Sequence, residues 1–165
     1  MPDHASAPYR ATVDALIAQH KDLPGALMPL LHAVQDTIGH VPDEAVPQIA
    51  AALNLSRAEV HGVITFYHHF RREPAGRTVV QVCRAEACQS CGADALLAHV
   101  EQRLGCAAHH TSTDGAYTLE PVYCLGLCAS SPAIRVDERL HVRMTPEKFD
   151  RIVAAAAASQ GVEVA

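Results

Sequence analysis

Up to residue 70, hydrophobic side chains recur at the three- and four-residue spacing of one face of a helix. Ser56 and Glu59 have the spacing of a capping box, and Gly39 can end a helix in the left-handed conformation. Pro29 falls inside the second hydrophobic stripe, where a helix tolerates it only in the first turn. Helices are predicted over residues 9–20, 24–39, 42–53 and 56–67. The N-terminal part is therefore expected to be a helical bundle.

The hydrophobic pattern changes after Pro74 and Gly76, which mark a hinge between two parts of the chain. The predicted order beyond the hinge is a strand over 78–82, a helix over 92–104, a strand over 116–122, a hairpin of strands over 133–136 and 140–142, and a final helix that starts at Pro146. This β-α-β-β-β-α order, with the first strand and helix as a crossover unit, predicts an α+β chain. The expected domains are residues 1–75 and 76–165.

Composition narrows the class of partner and the cellular compartment. Lys and Arg total 13 and Asp and Glu total 18, so the net charge of −5 disfavours nucleic acids and anionic membranes as partners. No apolar run reaches the roughly 18 residues of a membrane span, and the N-terminus lacks the basic and apolar regions of a secretory signal. We therefore expect a cytoplasmic protein, whose six cysteines point to metal or redox chemistry rather than to disulfides.

Four of the cysteines form two close pairs, and each pair follows a predicted strand. Cys83 and Cys88 are separated by four residues, Cys124 and Cys128 by three, and 35 residues lie between the pairs. Two strand-end loops that each offer two thiolates suit an iron–sulfur cluster with four Cys ligands. The sequence therefore predicts a [2Fe-2S] cluster, with one pair on each iron, and a role in electron transfer. Gly126 would let the second loop turn closely around the sulfurs.

Other metal or redox sites are compatible with parts of this pattern. Cys88, Cys91, Cys106 and His109 have the spacing of zinc ligands, but the helix predicted between Cys91 and Cys106 would hold its ends about 20 Å apart. Cys88 and Cys91 also form the C-x-x-C pair of a dithiol oxidoreductase, although this leaves the other paired cysteines without a role. A Rieske-type centre would need a second Cys–His pair, which the sequence lacks. We expect Cys106 to be a buried hydrophobic side chain, while Cys91 is either packed or a spare thiol beside the cluster.

Two features of the helical part suggest other roles. Residues 49–64 resemble a helix-turn-helix, but the second helix carries Glu59 beside Arg57 and no lysine, whereas a DNA-binding helix presents a basic face. Packing is therefore favoured over DNA binding. The aromatic run 66–70 is expected to pack against the second domain, and as a hypothesis part of it contacts a partner subunit.

With these residues in view, the chain resembles the thioredoxin-like [2Fe-2S] ferredoxin family. The family includes the small, 24 kDa-type subunit of NADH:quinone oxidoreductase and its relatives in NAD-linked hydrogenases and formate dehydrogenases. Its pattern of C-x4-C, a gap of about 35 residues and C-x3-C is matched by Cys83, Cys88, Cys124 and Cys128. The likeness runs over nearly the whole chain. Residues 83–90 and 123–129 look most like the gamma subunit of soluble, molybdenum-dependent, NAD-linked formate dehydrogenases.

The resemblance implies a thioredoxin-like second domain that carries the [2Fe-2S] cluster, and no catalytic residue on this chain. It implies a flavin- and NADH-binding partner subunit with FMN, NAD and a [4Fe-4S] cluster, since this chain has no glycine-rich dinucleotide fingerprint. In the formate dehydrogenase branch, a larger iron–sulfur subunit would carry the molybdenum cofactor. The expected function is electron transfer in an NAD-dependent formate dehydrogenase. The alternatives are the equivalent subunit of NADH:quinone oxidoreductase or an NAD-linked hydrogenase and, less favoured, a dithiol oxidoreductase.

Overall fold

The computed structural model describes residues 9–160, with side-chain environments for residues 9–156. The chain divides after Pro74 into two compact units. The α-helices within residues 9–74 are α1 (Arg10–His20), α2 (Leu27–Ile38), α3 (Val46–Ala52) and α4 (Arg57–Phe66). No helix within residues 9–160 is long and apolar enough to cross a membrane.

Two of the predicted helices begin later than expected, and both differences have a backbone cause. Gly25 has a left-handed φ of 65°, which prevents a helix from starting at Pro24 and leaves Pro29 in the first turn of α2. Pro47 has no N–H to donate to the carbonyl of Asp43. That carbonyl instead accepts the N–H of Val46 in a short 3-10 turn, so the third helix is regular only from Val46 onward.

The predicted hydrophobic stripes form the core of the first unit. Its fully buried side chains include Val13, Leu30, Leu31, Val34, Ile49 and Val60. The capping box of α4 is confirmed, because the Glu59 N–H donates to Ser56 Oγ at 3.2 Å and the Ser56 N–H donates to Glu59 Oε2 at 2.7 Å. Phe70 is buried in this core, whereas Phe66 and Tyr67 are exposed. The predicted packing of the aromatic run against the second domain stays a prediction.

The second unit contains a sheet and three α-helices within residues 75–160, and the order of its elements differs from the predicted order. Its elements are β1 (Thr78–Cys83), α5 (Glu86–Ser90), α6 (Ala93–Leu104), β2 (His110–Thr111), β3 (Tyr117–Val122), β4 (Ala133–Val136), β5 (Arg139–Val142) and α7 (Pro146–Gln160). The predicted β-α-β-β-β-α order lacks α5 and β2, which are too short to show a hydrophobic period. The α+β class is confirmed.

The five strands form one mixed sheet in the order β2-β3-β1-β4-β5. Strand β1 is parallel to β3 and antiparallel to β4, while the β2–β3 and β4–β5 pairs are antiparallel. Helices α5 and α6 lie in the connection between the parallel strands, so the predicted crossover unit is confirmed.

Helices α6 and α7 contribute to a single apolar core on one face of the sheet. The core includes Val80, Val82, Leu97, Val100, Leu119, Ile134 and Phe149. Because side chains alternate along a strand, Gln81 and Cys83 point to the opposite face from Val80 and Val82. The side chain of Cys83, at the end of β1, therefore points to the face of the sheet opposite this core.

Candidate metal centre

Both cysteine pairs lie where two neighbouring parallel strands end. Cys83 is the last residue of β1 and pairs in the ladder with Val122, the last residue of β3. Cys124 comes two positions after Val122. Because the carboxyl ends of parallel strands meet at the same edge of a sheet, the fold brings together two pairs that are far apart in the sequence.

The first pair is buried. Cys83 is 3% exposed and Cys88 is 2% exposed, and both belong to an apolar cluster with Ala93 and Ala133. Helix α5 reverses the chain immediately after β1 and places Cys88 beside Cys83, with which it shares a hydrogen bond between the two thiols. This short helix, which the sequence pattern did not predict, is what brings the first pair together.

The second pair is exposed, and its loop has an unusual backbone. The sulfurs of Cys124 and Cys128 lie 3.8 Å apart. Gly126 has φ of 76°, and its N–H donates to the sulfur of Cys124 at 3.3 Å, so the predicted close turn around the sulfurs is confirmed. Cys124 itself has φ of 133°, a conformation that a residue with a side chain seldom adopts and that is concentrated at functional sites.

Backbone donors from the second loop and from β4 reach the first pair. The N–H of Leu125, which lies between Cys124 and Gly126, donates to the sulfur of Cys83, as does the N–H of Ala85. The N–H of Ala133 donates to the sulfur of Cys88. Sequence reasoning missed these donors because a backbone N–H leaves no side-chain signal. The two loops are therefore bonded to each other at the sulfurs.

Ser131 contacts both pairs and was also missed. Its hydroxyl oxygen lies 3.4 Å from the sulfur of Cys88, and the hydroxyl donates to the carbonyl oxygen of Cys128 at 2.9 Å. The peptide bond that follows, to Pro132, is cis. A serine beside a proline is common in loops, so the sequence alone offered no reason to assign this side chain to the site.

The thiols influence one another's ionisation. Burial raises the pKa of Cys83 above its ordinary value. Burial also opposes ionisation of Cys88, but hydrogen bonds from Ser131, Cys83 and a backbone N–H hold the pKa of Cys88 below its ordinary value. The pKa of Cys128 is raised, first by its hydrogen bond with Cys124 and then by the charge that Cys124 would carry. Thiols must lose their protons to become metal ligands, so metal binding at these pairs would release protons.

Helix α6 begins beside the first pair. Its first residue, Ala93, lies in the same cluster as Cys83 and Cys88, so the positive end of the helix dipole is close to the sulfurs. Arg84 donates to the carboxylate of Asp94 in the first turn of α6, with 2.8 Å between Nη2 and Oδ1. This ion pair ties the first cysteine loop to the helix.

The zinc-ligand set is not brought together. Cys106 is buried in the core beneath α6, as expected, whereas Cys88 lies at the end of the sheet. Among the described residues, no group of three or more His, Cys, Asp or Glu side chains could hold a single metal ion. A [2Fe-2S] cluster does not need three side chains at one ion, because each of its irons takes only two protein ligands.

Cys91 is exposed, while its C-x-x-C partner Cys88 is buried, and both are free thiols. Cys91 caps the end of α5 through a backbone N–H bond to the carbonyl of Cys88 at 3.2 Å. It is thus a thiol near the site but outside the bonded set of sulfurs. The dithiol alternative stays a prediction.

The donor set matches what a small iron–sulfur cluster needs. Two pairs of cysteines meet at one edge of the sheet, and four backbone N–H groups, from Ala85, Leu125, Gly126 and Ala133, point at three of the sulfurs. Backbone donors aimed at sulfur stabilise the negative charge of thiolates and of a thiolate-ligated cluster. The residues present therefore fit a [2Fe-2S] group.

Comparisons with known proteins agree with this chemistry. The sequence profile of the thioredoxin-like [2Fe-2S] ferredoxin family matches residues 13–157. An E-type subunit of the NADH-quinone oxidoreductase of Rhizobium meliloti is 35% identical over 153 residues, which cover 93% of this chain and 91% of that protein. The E-type subunit of the same enzyme from Escherichia coli K12 is 34% identical, with 90% and 89% coverage. The HndA subunit of the NADP-reducing hydrogenase of Solidesulfovibrio fructosivorans is 30% identical, with 93% and 91% coverage.

Solved structures share the fold. An NAD+-reducing [NiFe]-hydrogenase in its H2-reduced state superposes with a TM-score of 0.64 at 20% identity, over 78% of this chain. The air-oxidised form of such an enzyme gives a TM-score of 0.59 at 17% identity, over 93% of this chain. This chain spans only 22% and 24% of those two longer chains. At these identities the likeness concerns the fold alone.

Proposed function

Because the chain belongs to the thioredoxin-like [2Fe-2S] ferredoxin family, we propose that its two cysteine pairs hold one [2Fe-2S] cluster and that it is an electron-transfer subunit of an NADH-linked oxidoreductase complex. The proposed ligands are Cys83 and Cys88 on one iron and Cys124 and Cys128 on the other. The observation that carries the proposal is that the two pairs meet where the parallel strands β1 and β3 end, since Cys83 is paired in the ladder with Val122 and Cys124 follows two residues later.

A bound [2Fe-2S] cluster supplies one-electron transfer. The protein's part is to hold four thiolates at fixed positions and to stabilise their negative charge with backbone donors. The two pairs differ in access: Cys83 and Cys88 are buried, whereas Cys124 and Cys128 are exposed. The exposed pair leaves one side of the site open to an approaching redox partner, while the buried pair excludes water on the other side.

Because the relatives named above are subunits of larger enzymes, the proposal includes partner subunits. We expect a flavin- and NADH-binding subunit with FMN and a [4Fe-4S] cluster. Phe66 and Tyr67 at the end of α4 are 74% and 45% exposed, and their rings contact edge to face with centroids 5.0 Å apart. Exposed aromatic rings of this kind are typical of protein interfaces. We propose that this part of α4 contacts a partner subunit.

The finer assignment, to a particular complex, rests on different observations. The relatives named above are subunits of NADH-quinone oxidoreductases and of an NADP-reducing hydrogenase, and they favour a complex of that kind. Formate dehydrogenase, with a larger molybdenum-containing iron–sulfur subunit, stays a prediction that rests only on the resemblance of residues 83–90 and 123–129. A cytoplasmic location likewise stays a prediction from composition.

The first experiment measures iron, acid-labile sulfide and zinc in the purified protein, with EPR spectra before and after dithionite. The proposal expects about two irons and two sulfides per chain and a rhombic signal that appears only on reduction. Zinc without sulfide, or a metal-free protein with a titratable disulfide between Cys88 and Cys91, would contradict it.

A second experiment separates the candidate complexes. The tagged chain is purified from its own host, and the co-purifying subunits are identified by mass spectrometry, with molybdenum and nickel measured in the same sample. Molybdenum and formate-dependent NAD+ reduction would support the formate dehydrogenase assignment. Nickel with hydrogen-dependent reduction, or quinone reduction by NADH without either metal, would instead support one of the alternatives.

A further inference from the structure

A polar row crosses the sheet next to the cysteine site. In the ladder, Gln81 of β1 lies opposite Glu120 of β3 on one side and opposite Arg135 of β4 on the other. Residues directly opposite one another in neighbouring strands share a face, and so do residues two apart in one strand. The row therefore lies on the same face as Cys83, one pleat away from it.

Hydrogen-bond partners are present at one end of this row and incomplete at the other. Gln81 Nε2 donates to Glu120 Oε2 at 2.8 Å, so the carboxylate is partnered. The Nε atom of Arg135 is buried and has no hydrogen-bond partner. A buried donor of a cationic group that lacks a hydrogen-bond partner costs free energy, which suggests that Arg135 serves another group.

The cysteine site, which would carry negative charge, lies toward the start of β4 on this face, whereas the carboxylate of Asp137, beyond the end of β4, already accepts the Val79 N–H at 2.9 Å. Ala133, two residues before Arg135 on β4, donates its N–H to the sulfur of Cys88. Two residues of an antiparallel strand span about 7 Å between Cα atoms, within reach of an arginine side chain. Glu120, by contrast, lies two strand spacings away from Arg135, at about 10 Å.

We propose that Arg135 is an electrostatic determinant of the reduction potential of the cluster. The reduced cluster carries one more negative charge than the oxidised cluster, and a nearby cation stabilises the more negative state. Arg135 therefore raises the potential and favours acceptance of an electron. The inference rests on the proposed function, because it requires a [2Fe-2S] cluster on Cys83, Cys88, Cys124 and Cys128.

The test compares midpoint potentials, measured by EPR-monitored redox titration of the full chain. Arg135→Gln removes the charge, Arg135→Lys keeps it, and Arg135→Met is a second neutral variant in case the glutamine variant does not fold. Arg139→Gln is the matched control, because Arg139 is an exposed cation of the same hairpin, and its ladder partner Val136 points into the core on the opposite face. Iron and sulfide content is measured in every sample.

The expected result is a more negative midpoint in both neutral variants, a midpoint near that of the wild type in Arg135→Lys, and no change in Arg139→Gln. A fully loaded neutral variant with the wild-type midpoint overturns this inference and leaves the proposed function intact. An equal shift in Arg139→Gln also overturns it, because the effect would then be one of net charge. A wild-type protein without iron and sulfide overturns both proposals.

Discussion

The hydroxyl oxygen of Ser131 lies 3.4 Å from the sulfur of Cys88, and the same hydroxyl donates to the carbonyl of Cys128. One side chain thus contacts a residue of each cysteine pair. A hydroxyl has a single proton, so Ser131 cannot donate to both groups at once. When Cys88 is a thiol, its S–H can donate to Ser131, and when Cys88 is a thiolate, the serine proton can turn toward the sulfur.

Replacing Ser131 with alanine is expected to weaken cluster retention. The variant loses one hydrogen bond to a thiolate ligand, worth about 1 kcal/mol, which corresponds to roughly fivefold faster loss of iron. The measurement is the decay of visible absorbance after addition of an iron chelator. Ser130→Ala is the control, because it removes the hydroxyl of the preceding residue and leaves both contacts of the Ser131 hydroxyl in place. Equal decay rates in the two variants would show that Ser131 does not support the site.

Cys124 and Cys91 provide a matched pair of exposed thiols, of which only the first is a proposed ligand. Cys124→Ser should weaken or shift the EPR signal of the reduced protein, because a serine oxygen is a poorer ligand to iron than a thiolate. Cys91→Ser should leave the signal and the iron content unchanged. Far-ultraviolet circular dichroism checks that the helical part stays folded in both. An unchanged signal in Cys124→Ser would remove Cys124 from the ligand set.

Sequence periodicity predicted the long elements well and the short ones poorly. Helices α1, α4 and α6 lie within about a residue of their predicted bounds, because each has an apolar stripe long enough to show its period. Helix α5 and strand β2 have five and two residues, which is less than two periods. The error at α2 came from Gly25, since the conformation of a glycine cannot be inferred from hydrophobicity.

For the candidate site, the sequence predicted the four cysteine ligands but not the hydrogen-bond donors that contact their sulfurs. Strand ends followed by Cys83 and Cys124 predicted that the pairs would meet, and the parallel ladder of β1 and β3 explains why. The donors that reach the sulfurs from Leu125 and Ala133 are backbone groups, for which any residue type would serve. The polar row with Arg135 depends on strand register, which a single sequence does not specify.

Gly126→Ala tests the backbone of the second loop without a steric clash. An added Cβ at Gly126 would meet no atom within 4 Å, so the cost comes from placing alanine at φ of 76° and should be about 1 kcal/mol. Gly62 in α4 is the control, because it also has open space and lies inside a helix, where alanine should stabilise by roughly 0.5 to 1 kcal/mol. Urea unfolding gives both values, and iron content should fall only in Gly126→Ala. If alanine at Gly126 and alanine at Gly62 stabilised the protein equally, the left-handed conformation of Gly126 would be contradicted.

The capping box of α4 predicts a loss of stability in acid. The pKa of Glu59 is held below its ordinary value of 4.5, first by the Ser56 N–H and then by the Ser56 hydroxyl, both of which donate to its carboxylate. Because the folded pKa is the lower one, this contribution is fully present above pH 4.5 and is lost as the pH falls through the folded pKa. Ser56→Ala should destabilise by about 1 kcal/mol at neutral pH and lose less further stability in acid than the wild type.

Glu59→Gln keeps the bonding pattern without a titratable group. The free energy of unfolding, measured in urea at several pH values between about 3 and 7, should therefore depend less on pH in Glu59→Gln than in the wild type. Parallel curves for Glu59→Gln and the wild type would exclude Glu59 as a source of acid sensitivity.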